Sequence, residues 1–88
     1  MLPGGPVAIE RVTSLMDRGV ECWGTWEEHE RRIRIDQSAT LRHQWKVLFH
    51  ELAHVAMDDS GLSNGMSHDL LESVCDAFAV ARFRERFG

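Results

Sequence analysis

Apolar and polar residues alternate over much of the first 35 positions, and from about Leu41 onward the apolar ones recur every three or four. In "VAIERVTSL" Val7 and Ile9 alternate and Val12 follows less cleanly. That pattern suits a strand, although Ala8, Val12, Leu15 and Met16 also trace a helical stripe. "LPGGP" before it reads as a loose leader, and "DRG", Asp17 to Gly19, as a turn. "VECWGTW" sets Val20, Cys22, Gly24 and Trp26 on one face. "RRIRID" sets Ile33 and Ile35 against Arg32 and Arg34. Two period-two segments joined by the charged "EEHE" predict a hairpin, with His29 a surface residue of its turn.

The alternation stops at Asp36. The next segment offers Asp36 or Ser38 as a helix cap, then Leu41, Trp45, Leu48, Leu52 and Val55 at helical spacing. "DSGLSNG" breaks this helix. A second one follows, capped by Ser67, with Leu71, Val74, Phe78 and Ala81 as its stripe and basic residues at its C-terminal end. The expected fold is α+β: a short three-stranded antiparallel sheet followed by two packed helices.

At 88 residues, the chain is expected to form one domain over 1–88. A composition of 43% hydrophobic and 27% charged residues argues against disorder. The net charge of −4 gives no general affinity for nucleic acid or anionic membrane. No apolar run approaches the roughly 18 residues that span a bilayer. The start lacks the basic and apolar regions of a signal peptide, so a cytoplasmic setting is expected. Cys22 and Cys75 have no metal-site spacing and read as reduced core thiols.

One stretch resists that ordinary picture. "VLFHELAHVAMDD" places His50, Glu51 and His54 in the most apolar part of the first helix, where ionisable groups need compensation. Residues four apart on a helix share a face with Cβ atoms about 5–6 Å apart, so the two imidazoles can converge on one ion. Glu51 lies one step round the helix, placed as a base for a metal-bound water. This is the H-E-x-x-H pattern. Zinc needs a third protein ligand. The histidine of an extended H-E-x-x-H-x-x-G-x-x-H motif is absent, since Met57 and Ser60 occupy the Gly and His positions. His68, Asp69, Glu72 and Asp76 remain as candidates. Glu72, one turn into the second helix, is the choice, with Asp76 on the same face able to accept an imidazole N–H. His68 could approach the metal or an oxyanion, but a partly exposed helix start is its plainer reading. His43 is too far along the helix to share the ion.

"HELAH", followed after the 17 residues Val55 to Leu71 by "ESVCD", resembles the gluzincin metallopeptidases, whose second helix carries E-x-x-x-D. "RRIRIDQSATLRHQWKVLFHELAH" is similar to the strand-and-helix block of small gluzincin domains of phages and of the bacterial ImmA/IrrE-like proteins. The resemblance implies a Zn2+-dependent peptidase. His50, His54 and Glu72 would be ligands, Glu51 the general base and Asp76 the partner of His50. It also implies a peptide or protein substrate lying along an edge strand, here "WGTWEEH" or "RRIRID", with Trp23 or Thr25 shaping a pocket. Larger gluzincins set a Tyr or His against the oxyanion. This chain has no tyrosine, so His68, His43, Arg42 or Arg82 would have to substitute. Two rival readings stand beside the active peptidase. One is a structural zinc site closed by His68 or Asp69, in a partner-binding module. The other is a latent enzyme held shut by its own terminus or by homodimerisation until a regulatory partner arrives.

Overall fold

A computed structural model describes residues 4–88; Leu2 and Pro3 of the expected leader lie outside them. Five strands, β1 (Ala8–Val12), β2 (Met16–Asp17), β3 (Val20–Glu21), β4 (Gly24–Glu27) and β5 (Arg32–Asp36), precede helices α1 (Leu41–Asp59) and α2 (His68–Phe87). A short 3-10 turn, Leu62–Gly65, joins the helices. The class is α+β, as the sequence pattern implied.

The sheet differs from expectation in one respect: it is mixed. Its strand order is β1-β5-β4. β4 and β5 form the expected antiparallel hairpin, whereas β1 runs parallel to β5, pairing Ala8 with Arg32 and Val12 with Asp36. Alternation looks the same in both orientations, so it could not have distinguished them. The direction is set by β2 and β3, a small antiparallel ribbon turned at Arg18 and Gly19, both with positive φ. The chain then reaches the far edge before β5 fills the middle. The expected continuous strand from Val20 to Trp26 is thereby broken at Cys22 and Trp23. Because β5 is internal, "RRIRID" is not an edge; β4 is.

Ile33 and Ile35 of β5 meet Val55 of α1 in the core, with Val7, Trp26, Val47, Leu48 and Leu52 packed around them. The helix start also differs from the sequence reading. Thr40, not Asp36 or Ser38, caps α1, its hydroxyl accepting from the His43 N–H at 3.1 Å. Asp36 instead accepts from the Ser38 N–H and hydroxyl at 2.9 and 2.7 Å, and from the Leu15 N–H at 3.3 Å. It fixes the turn out of β5. Ser67 caps α2 as expected.

The stripe expected on α2 is not the buried one. Cys75, Ala79 and Phe83 are buried, while Val74 and Phe78 stay substantially exposed. The two stripes lie roughly a third of a turn apart, and α2 is apolar on both, so periodicity alone did not choose between them. On α1, Leu41 proves exposed, at the open end of its stripe.

Two devices hold α1 to the sheet. Gly24 lets β4 approach closely, since an added Cβ would lie 2.4 Å from Val47 Cγ1 and 3.3 Å from Glu51 Cγ. At the helix's other end, the Trp26 indole donates to Asp58 at 2.8 Å, and Arg31 pairs with Asp59 through contacts of 2.9 and 3.0 Å. Gly24→Val is expected to lower stability by about 1–3 kcal/mol in urea unfolding, because β-branched Val47 has little room to yield.

Hydrogen bonds from Arg31 hold Asp59 below the usual carboxylate range, and those from Ser38 do the same for Asp36. Groups with depressed folded values contribute stability that is complete above the unfolded pKa of about 3.9 and is lost as pH falls through the folded value. The urea midpoint should therefore fall with acidification below about pH 4. Asp59→Asn should lower it at neutral pH and flatten the acid limb.

Candidate metal centre

α1 lies between the sheet and α2, so its residues face one or the other. His50 and His54 face α2, one turn apart, with ring centroids 4.8 Å apart and Nε2 atoms 3.1 Å apart. Burying Cys75 and Ala79 turns Glu72 toward them. Its Oε2 lies 3.0 Å from His50 Nε2 and its Oε1 lies 3.2 Å from His54 Nε2. Asp76, one turn on, accepts from His50 Nδ1 at 2.7 Å.

The last contact fixes the chemistry of the others. A carboxylate only accepts, so His50 carries its proton on Nδ1. In its neutral form the ring aims the Nε2 lone pair at a Glu72 oxygen and at His54 Nε2, each about 3 Å away. Lone pairs converging at that distance repel unless a cation, a proton or a metal ion, lies among them. Ligand bonds of about 2.0–2.1 Å in a tetrahedron give edges of about 3.3 Å, close to the spacings found. Two imidazoles and a carboxylate form a donor set suited to a borderline divalent metal. The residues fit such an ion.

Glu51 belongs to the same cluster, its carboxylate within 4.8 Å of ligating atoms of both histidines. It is 8% exposed and borders a cleft of about 290 Å3 with Trp23, Gly24, Lys46, Val47 and His50. Burial pushes its carboxyl up to about 7 in the metal-free protein. Glu72 and Asp17 add to the rise and His50 opposes it. Burial likewise lowers His54, against the pull of Glu72. Cys75 lies behind the site as a buried thiol pushed up to about 11 by desolvation, with Glu72 and Glu51 adding. It is therefore an inert packing group.

A search of family models finds the peptidase M78 family, the IrrE N-terminal-like domain, over residues 10–83. The chain belongs to this family. No curated protein and no solved structure gives a match. The IrrE-like assignment agrees with the H-E-x-x-H cluster and with a metallopeptidase class of domain. No helix among the described residues is long and apolar enough to cross a membrane.

Within this IrrE-like domain His50, Glu51, His54, Glu72 and Asp76 come together, whereas the other sequence candidates stand apart. His68 is exposed at the first position of α2, and neither it nor Asp69 joins a metal-ligating group among the described residues. His43 is exposed and stacks edge-on to Trp23 at 5.1 Å. Arg82 borders a different groove, with Phe49 and Phe78. Sequence reasoning passed over Gly24 and Lys46, both of which border the Glu51 cleft. Lys46 was within reach, being four residues before His50 on the same helix face. Gly24 gave no signal beyond its type.

Glu51's folded pKa lies above the unfolded value of about 4.3, so its ionisation opposes folding. The penalty is absent below pH 4 and fully present above about 7. Glu51→Gln should therefore stabilise chelator-treated protein by about 1–2 kcal/mol at pH 8 and have little effect at pH 4.5, as measured by urea unfolding.

Proposed function

We propose that the chain is a zinc-dependent peptidase in which His50, His54 and Glu72 hold the ion, Glu51 is the general base and Asp76 orients His50. The observation that carries this reading is the carboxylate of Glu72 spanning two Nε2 atoms at 3.0 and 3.2 Å. A zinc ion held by His50, His54 and Glu72 would supply Lewis acidity toward a water and the scissile carbonyl. Glu51 takes the proton from that water and delivers it to the leaving amine. Its position between β4 and α1, bordering the cleft, suits both transfers. Asp76 keeps His50 in the tautomer that binds through Nε2.

The exposed edge of β4 runs beside the Glu51 cleft, so an extended peptide could pair with its backbone and bring a bond to the ion. Trp23, half exposed at the cleft, offers an apolar surface to a substrate side chain. A structural zinc closed by His68 or Asp69 gains no support, as neither approaches the histidines. Glu51, held within reach of the ion, would also have no role in a closed site. Both cysteines are free, which suits a reducing, cytoplasmic setting.

Purified protein should carry about one zinc ion per chain by plasma mass spectrometry. Glu72→Gln should lower zinc affinity at least about tenfold. Glu51→Gln should retain zinc while casein cleavage falls about 100-fold or more. Undiminished cleavage by zinc-loaded E51Q would remove the assigned base, and equal zinc affinity in E72Q would remove the third ligand.

A further inference from the structure

The Glu51 cleft does not end at the histidines. A second groove, of about 450 Å3, opens beside His50 and Asp76 and runs between the start of α1 and the end of α2, with Arg42, Lys46, Arg84 and Phe83 along it. Lys46 borders both spaces. Arg42, Lys46 and His50 follow at four-residue intervals, so the two cations stand about 12 and 6 Å before His50 along the helix. Both head groups lean on the buried ring of Phe83, at 4.9 Å for the guanidinium and 5.0 Å for the ammonium.

Arg42, Lys46 and Arg84 gather on this one groove, which the other cations without an ion pair among the described residues, Arg11, Arg18 and Arg86, do not line. Arg31, Arg32, Arg34 and Arg82 each pair with a carboxylate. Among the described residues no Asp or Glu carboxylate lies within ion-pair distance of Arg42, Lys46 or Arg84. Asp76, the acidic side chain bordering the groove, is engaged with His50. Like charges one turn apart on a helix repel. Here they converge on one ring without a counterion, in a chain whose net charge is −4.

Resting on the peptidase reading, we propose that the substrate is a peptide carrying an acidic side chain about two residues from the scissile bond, bound by Lys46 with Arg42 and Arg84. An extended peptide advances about 3.3 Å per residue. The 6 Å from His50 to Lys46 thus corresponds to about two residues, and the 12 Å to Arg42 to about four. An acidic residue at the second position meets Lys46, and one at the fourth meets Arg42. The continuity of groove and cleft favours a peptide over a nucleic acid, whose phosphates would meet the net negative charge of the remaining surface.

The test compares labelled peptides that differ only in Glu or Gln at the second and fourth positions from a central bond. Binding to the E51Q protein is read by fluorescence anisotropy, and cleavage by the unmodified protein is followed separately. The Glu peptide should bind more tightly, on the order of tenfold, with the advantage shrinking as salt rises from about 50 to about 500 mM. Lys46→Met should bring the Glu peptide down toward the Gln peptide, and Lys46→Glu should reverse the preference toward a Lys peptide. Both substitutions are at an exposed position, and circular dichroism checks their folding. Equal binding and equal cleavage of the Glu and Gln peptides would overturn the proposal while leaving peptidase activity standing. Tighter binding of a single-stranded oligonucleotide than of the Glu peptide would also overturn it. Charge-selective binding with no cleavage of any peptide would support the recognition and remove the peptidase reading instead.

Discussion

Glu72 bridges two imidazoles of the neighbouring helix, and the rest of the domain can be understood from what that contact demands. A carboxylate and two imidazole nitrogens at about 3 Å stay together only with a proton or a metal ion shared among them. The packing of Cys75, Ala79 and Phe83 against α1 therefore holds together groups that would repel one another if left bare. Such an arrangement ties ion binding to folding, because the energy released on filling the site is available to keep the helices docked. In a chain this short, with few fully buried side chains, that coupling matters more than it would in a larger domain.

The sheet and its turns serve as a mount for α1. Gly24 brings β4 against the helix beside Glu51, and the pairs made by Asp58 and Asp59 fix the helix's far end to Trp26 and Arg31. The acidic residues at that C-terminus oppose the helix dipole, and their partners offset the cost. The result sets Glu51 between strand and helix, buried but bordering open space.

Much of the site was legible in the sequence because helical spacing is a geometric constraint. His50, Glu51 and His54 had to share a helix region, and Glu72 with Asp76 could reach them only from one face of a second helix. The same logic, carried further, would have identified the buried stripe: if Glu72 and Asp76 look toward α1, then Cys75 and Ala79 must look there too, and Val74 and Phe78 cannot. The direction of β1 was not legible, since a two-residue ribbon around Arg18 and Gly19 decides it and alternation does not record direction. The cap at Thr40 was hidden by better-known capping types nearby, which were used to hold the turn. Gly24 was invisible because closeness to Val47 belongs to the tertiary structure.

The parallel pairing of β1 with β5 has a consequence for biosynthesis. Ala8 bonds beside Arg32, so β1 leaves the ribosome with no partner until the whole hairpin has followed it. Its exposed edge waits while β4 and β5 zip together locally, which orders assembly from the middle of the sheet outward. The cluster of His50, His54 and Glu72 comes later still. Glu72 belongs to α2, made after α1, so a nascent chain carries the H-E-x-x-H segment before the carboxylate that meets it.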